Sequence, residues 1–83
     1  MPKREDLLAK ARNNPAGLRF TELCLLAAKY GWVKARTKGS HHMYKHPSEK
    51  SLMDFQEAPD GKGKKYQVEQ LLDAIDRLLL KEG

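Results

Sequence analysis

The chain has a single cysteine, Cys24, in 83 residues. No intrachain disulfide can form, which fits a reducing compartment. No apolar run is long enough to cross a bilayer, and no apolar stretch follows the charged first residues. These absences predict a cytoplasmic protein with no membrane attachment. There is no CxxC, no HExxH and no Walker A sequence, so the common zinc spacings and a nucleotide-hydrolysing P-loop are excluded. No internal repeat or low-complexity segment appears. Acidic residues are missing where basic ones gather: Trp32 to Pro47 holds no Asp or Glu.

What that acid-free stretch holds is histidine. Gly39-Ser40-His41-His42-Met43-Tyr44-Lys45-His46-Pro47 contains all three histidines of the chain. Lys34, Arg36 and Lys38 precede it and Lys45 lies within it. The formal net charge is +5, and its excess sits in this half. Residues 1–50 carry 11 basic and 4 acidic residues, whereas residues 51–83 carry 5 and 7. A pI near 9.5 points to nucleic acid or another acidic partner.

Length sets one small domain, residues 1–83, with a modest core; 40% apolar residues is ordinary for a globular chain. Residues 3–13 predict a short helix with Leu7, Leu8 and Ala11 on one stripe. Asn13-Asn14-Pro15-Ala16-Gly17 ends it, so residues 1–17 form an N-terminal extension and residues 18–83 the core domain. Phe20, Leu23, Leu26, Ala27 and Tyr30 predict a second helix, with Gly31 at its C′ position. Three strands follow: Trp32–Thr37, His41–His46 and Ser51–Gln56. The first two form a hairpin through Lys38-Gly39-Ser40. The buried face of that hairpin stays open. Trp32 and Met43 support one register, and Val33, Ala35 and Tyr44 the other. Glu57–Lys65 is a polar loop, and Tyr66–Lys81 the clearest amphipathic helix, striped by Val68, Leu71, Leu72, Ile75, Leu78 and Leu79. The order α-α-β-β-β-α predicts an α+β fold, with helices on one face of a three-stranded antiparallel sheet and the other face free.

A shared metal would need the histidine nitrogens within about 2.1 Å of one ion. On a strand His41 and His42 point to opposite faces, and His42 and His46 stand roughly 13 Å apart. The spacing argues against a metal, and no cofactor is expected. Proton transfer suits the pattern better. Cleavage of RNA by its own 2′-hydroxyl needs a base, an acid and positive charge near phosphorus. His41 or His42 can move the proton, and the residues alone do not choose between them. Lys34, Arg36, Lys38 and Lys45 can hold the phosphate chain. Lys62, Lys64 and Lys65, ahead of the last helix, form an assisting phosphate site. No acidic partner is recognisable for the Ser40-His41 pair, so Ser40 is expected to shape the turn. Cys24 lies within the second helix, where a core role outweighs a reactive one. Trp32 and Tyr44 are expected to pack in the core rather than stack on bases.

At Gly31-Trp32, Arg36 and Gly39-Ser40-His41-His42-Met43-Tyr44-Lys45-His46-Pro47 the chain resembles the HicA family of toxins. The segments Asn14–Phe20 and Gly63–Leu72 are similar to the family as well, so the resemblance spans residues 13–76. It implies a double-stranded-RNA-binding-like α-β-β-β-α fold, here with an extra N-terminal helix. It implies ribosome-independent, metal-independent endoribonuclease activity on mRNA within a type II toxin–antitoxin system, and a HicB-type antitoxin as partner. The residue it implies as catalytic is the histidine directly after Gly-Ser, His41; Ser40 and His42 are expected beside it as support. Two other readings stand beside it: a non-catalytic RNA-binding module of the same fold, and a small domain whose basic face docks an acidic protein.

Overall fold

The structure, a computed structural model, describes residues 3–82; Met1, Pro2 and Gly83 of the expected 1–83 domain lie outside the described residues. Helix α1 spans Arg4–Asn13, a 3₁₀ turn spans Pro15–Gly17 and α2 spans Phe20–Lys29. Strands β1 (Val33–Lys38), β2 (His41–Lys45) and β3 (Met53–Phe55) follow, and α3 spans Lys65–Glu82. The strands form one antiparallel sheet in the order β1-β2-β3. This is an α+β arrangement with the double-stranded-RNA-binding-like order α-β-β-β-α, preceded by one helix.

One core is shared by every layer. Leu7 and Ala11 from α1, Leu23, Leu26 and Ala27 from α2, and Val68, Leu71, Ala74, Ile75 and Leu78 from α3 are buried together with Leu18, Trp32, Tyr44 and Phe55. The N-terminal helix is thus part of the core. Burying a leucine such as Leu7 contributes about 2 kcal/mol. Two exposed ion pairs hold α1 to its neighbours: Lys10 Nζ to Glu22 at 2.7 Å and Arg12 to Asp76 at 2.6 Å. Each is a surface contact worth about 0–1 kcal/mol.

The start and end of α2 are set by local bonds. Glu22, three residues into the helix, accepts the Arg19 backbone N–H at 3.0 Å. At the other end the Gly31 N–H bonds the Ala28 carbonyl and the Trp32 N–H bonds the Ala27 carbonyl, a Schellman closure. Gly31 takes φ +99°, which suits a residue with no Cβ.

The hairpin turn is tight. Gly39 has φ +60°, Ser40 has no positive φ, and Lys38 pairs with His41 across them. This is the pattern of a type II′ turn, whose twist matches that of the flanking strands. The buried face of the hairpin is settled by β2 and β3. Tyr44 and Phe55 are buried, with ring centroids 5.2 Å apart. Residues opposite one another share a face, so His42, Tyr44, Met53 and Phe55 face the helices, and His41, Met43, Lys45 and Asp54 the open side.

Strand β1 does not obey simple alternation. The register shifts between Lys34 and Arg36, a bulge at Ala35. Lys34 pairs with Tyr44 on the helix side, while Val33, Arg36 and Lys38 share the open side with His41. Val33 and Ala35 are exposed, and Trp32 is buried just ahead of the strand instead of within it. Strand β3 covers only the centre of the expected Ser51–Gln56.

Candidate active site on the open sheet face

The three histidines that crowd the sequence are separated by the fold. His46 lies past the end of β2. Its Nδ1 accepts the Ser48 backbone N–H at 3.0 Å, so its proton sits on Nε2 and is donated to the Tyr30 carbonyl at 3.0 Å. Its ring packs on Trp32, centroids 4.6 Å apart, and a Cβ on Gly31 would come within 2.8 Å of Nε2. The Gly31-Trp32 pair and the His46-Pro47 end of the hairpin are therefore halves of one structural joint. His42 faces the helices, its ring 5.0 Å from that of Phe20.

His41 alone stands on the open face, first residue of β2 and directly after the turn. Its side chain is about half exposed, at 50%. Its Nδ1 lies 2.7 Å from Asp54 Oδ2. Asp54 pairs with Met43 in the register, which makes it the diagonal neighbour of His41 across β2 and β3. Asp54 Oδ1 is buried with no hydrogen-bond partner among the described residues, so the imidazole is the group this carboxylate serves. An ionised carboxylate only accepts, so Nδ1 carries the proton and the Nε2 lone pair points away from Asp54.

A second chain of bonds reaches the same ring. Gln67, in the first turn of α3, is only 2% exposed. Its Oε1 accepts the Gln56 backbone N–H at 2.7 Å, and its Nε2 donates to Tyr66 Oη at 3.2 Å and Gln56 Oε1 at 3.4 Å. Gln56 Oε1 also accepts from Lys64 Nζ at 3.2 Å. The donor end of the Gln56 amide then faces the turn, 3.4 Å from Ser40 Oγ and 3.4 Å from His41 Nε2. Both neighbours of the ring thus specify one tautomer, with Nδ1 protonated and Nε2 accepting.

The basic residues divide between places. Arg36, Lys38 and Lys45 share the face of His41, and all three are exposed. Lys64 adjoins the site through Gln56. Lys34 is on the opposite face, across from buried Tyr44. Lys62 sits in a bridge to Arg19, and exposed Lys65 opens α3. Among the described residues, no hydrogen bond or ion pair joins Lys62 or Lys65 to the His41 cluster.

Asp54, Gln56 and Gln67 were not singled out by sequence. That His41 has no acidic partner is corrected by Asp54: strand pairing brings together residues 13 positions apart. The signal available was alternation. Met53 and Phe55 are apolar, so Asp54 must face the other way. Beneath the sheet, burial and a hydrogen bond shared with Cys24 push the Tyr44 hydroxyl up to about 12. Burial pushes the Cys24 thiol up too. Both stay protonated near neutrality.

No helix of the described residues is long and apolar enough to cross a membrane. Among the described residues, no group of three or more His, Cys, Asp or Glu side chains is placed to hold a metal ion. No curated protein and no solved structure matches the chain. A family model described as the HicA toxin of bacterial toxin-antitoxin matches residues 20–76, from the first residue of α2 well into α3. That match covers more than half of the chain and includes the hairpin, Asp54, Gln56 and Gln67, and so this protein belongs to the HicA toxin family.

Proposed function

We propose that this toxin is a ribosome-independent, metal-independent endoribonuclease that cuts mRNA in the cytoplasm, with His41 as its acid/base. One observation carries the reading: the imidazole of His41 is held at Nδ1 by Asp54 at 2.7 Å, and the side chain stands half exposed on the sheet face it shares with Arg36, Lys38 and Lys45. Nε2 takes the proton of a ribose 2′-hydroxyl. The oxygen attacks the adjacent phosphorus, the bond to the 5′ oxygen breaks, and that oxygen leaves with a proton. The proton that Nε2 gains is the one the leaving group needs, so one imidazole can return to its starting state. A positioned histidine contributes about 10²–10⁴-fold. Asp54 is a positioning residue: it fixes the ring and steadies the imidazolium.

Arg36, Lys38 and Lys45 hold the RNA backbone on this face, with Lys64 beside them. Lys34, Lys62 and Lys65 extend the contact beyond it. Ser40 shapes the turn that presents His41. His42 supports the strand through Phe20. A HicB-type antitoxin with an acidic surface would cover His41 and compete with RNA for the same cations.

The test is direct. Purified protein is incubated with an RNA transcript in the presence of a chelator. The expected products carry 2′,3′-cyclic phosphate and 5′-hydroxyl ends, and a 2′-O-methyl at the cut position blocks the reaction. An RNA that is bound but left intact would favour a non-catalytic binding module. Cleavage of 2′-O-methyl RNA would reject the 2′-hydroxyl mechanism.

A further inference from the structure

We propose that the Gln56 side-chain amide is a second catalytic group, donating a hydrogen bond to a non-bridging oxygen of the scissile phosphate. Lys64 and Gln67 are the positioning residues that aim it. The inference rests on the reading of His41 as the acid/base.

An amide has a donor end and an acceptor end of nearly the same shape, so its direction comes from its neighbours. Here the neighbours leave one choice. An ammonium can only donate, and Lys64 Nζ lies 3.2 Å from Gln56 Oε1. Gln67 is fixed in turn because its Oε1 takes the Gln56 backbone N–H at 2.7 Å, which leaves its Nε2 to donate to Gln56 Oε1. The NH₂ end of Gln56 is therefore turned toward Ser40 and His41.

That NH₂ is poorly used. Its contacts, to Ser40 Oγ and His41 Nε2, are both 3.4 Å, at the long limit of hydrogen bonding. A phosphate oxygen is a charged and stronger acceptor. A 2′-hydroxyl bonded to His41 Nε2 would displace the Gln56 contact and bring its phosphate against the freed donor. Such donors, oriented before substrate arrives, stabilise charge developing on the reacting group.

A purely structural role would not require this arrangement. The bond from the Gln56 backbone to Gln67 ties the end of β3 to α3 without the Gln56 side chain. Burying Gln67 at 2% exposure is costly unless each of its polar atoms is bonded. Its amide nitrogen spends part of that bonding on the Gln56 side chain, which reaches the turn.

The cut position in a transcript is mapped with the wild-type protein. Oligonucleotides spanning it are then made with each phosphorothioate diastereomer at that linkage. Wild type is expected to discriminate between the diastereomers. Gln56→Ala is expected to cut the all-oxygen RNA about 10²-fold more slowly and to lose that discrimination. Its affinity for 2′-O-methyl RNA should fall far less than its rate. Gln56→Glu keeps the side-chain length and the Lys64 contact but has no donor and adds a negative charge beside the phosphate, so it should cut at least as slowly as Gln56→Ala; it carries the test if the alanine variant unfolds. Wild-type rates, or retained discrimination, in both variants would overturn the inference. His41→Ala separates the two readings. If it is inactive while the Gln56 variants cut normally, only the Gln56 role falls; if it cuts like wild type, the acid/base reading falls.

Discussion

His41 opens strand β2 and His46 lies just past its other end, and their rings meet different surroundings. At His46 both nitrogens are bonded to backbone groups, and the ring is packed on Trp32. At His41 one nitrogen is held by a carboxylate, and the other meets only the long Gln56 contact on an exposed face. A histidine with both nitrogens committed to the backbone is a structural strut. A histidine with one nitrogen committed and one in reserve can exchange a proton with a substrate. Proximity in sequence hid this difference.

Substitutions at His46 and at Asp54 separate the two roles. His46→Ala removes the partner of the Ser48 N–H and the Tyr30 carbonyl and opens space beside Trp32. A loss of about 3 kcal/mol in denaturant unfolding is expected, with RNA cutting per folded molecule unchanged. Asp54→Asn attacks the other end. Its effect should fall on rate, about 10²-fold, with little change in stability. Nitrogen-15 spectra of the imidazole check the cause: His41 should shift from a dominant Nδ1–H tautomer to a mixture, while His46 keeps its Nε2–H form.

Smaller changes sharpen the same contrast. Gly31→Ala forces a side chain onto φ +99° and brings its Cβ within 2.8 Å of His46 Nε2. It should cost about 2 kcal/mol, again without a specific loss of cutting. Lys10 and Glu22 are remote from both ends and serve as a baseline. The Lys10 hydrogen bond holds the Glu22 carboxyl below its usual value of 4.5. A depressed carboxyl stabilises the fold above its unfolded pKa, and that contribution fades as the pH falls through the folded value. The pair is on the surface, so Lys10→Ala should cost under about 0.5 kcal/mol at pH 7, and less still near pH 3. Urea melts at both pH values measure it.

Much of the architecture could be read from periodicity. The α3 stripe from Val68 to Leu78, the Gly31 stop after α2 and the Gly39-Ser40 turn appear where spacing and glycine chemistry put them, whereas Leu79, expected on the stripe, is exposed because the core ends at Leu78. The hairpin face could not be read. The bulge at Ala35 puts Val33 and Arg36 on one side, three residues apart, so strict alternation in β1 contradicts alternation in β2. With the face open, His41 and His42 were equivalent candidates, and Asp54 had no assigned side. Once Tyr44 is buried, His41 and Asp54 must share the open face. Gln67 was hidden for another reason. A polar residue beside Val68 at the start of an amphipathic helix looks like its solvent face, and only the packing of β3 against α3 shows it buried.

The central claim is that His41, and not its neighbour, moves the proton. Purified His41→Ala and His42→Ala, each folded as judged by thermal melting, are compared with wild type on one RNA. No detectable cutting by His41→Ala is expected, with rates within a few-fold of wild type for His42→Ala. Undiminished cutting by His41→Ala, or selective loss with His42→Ala, would contradict it.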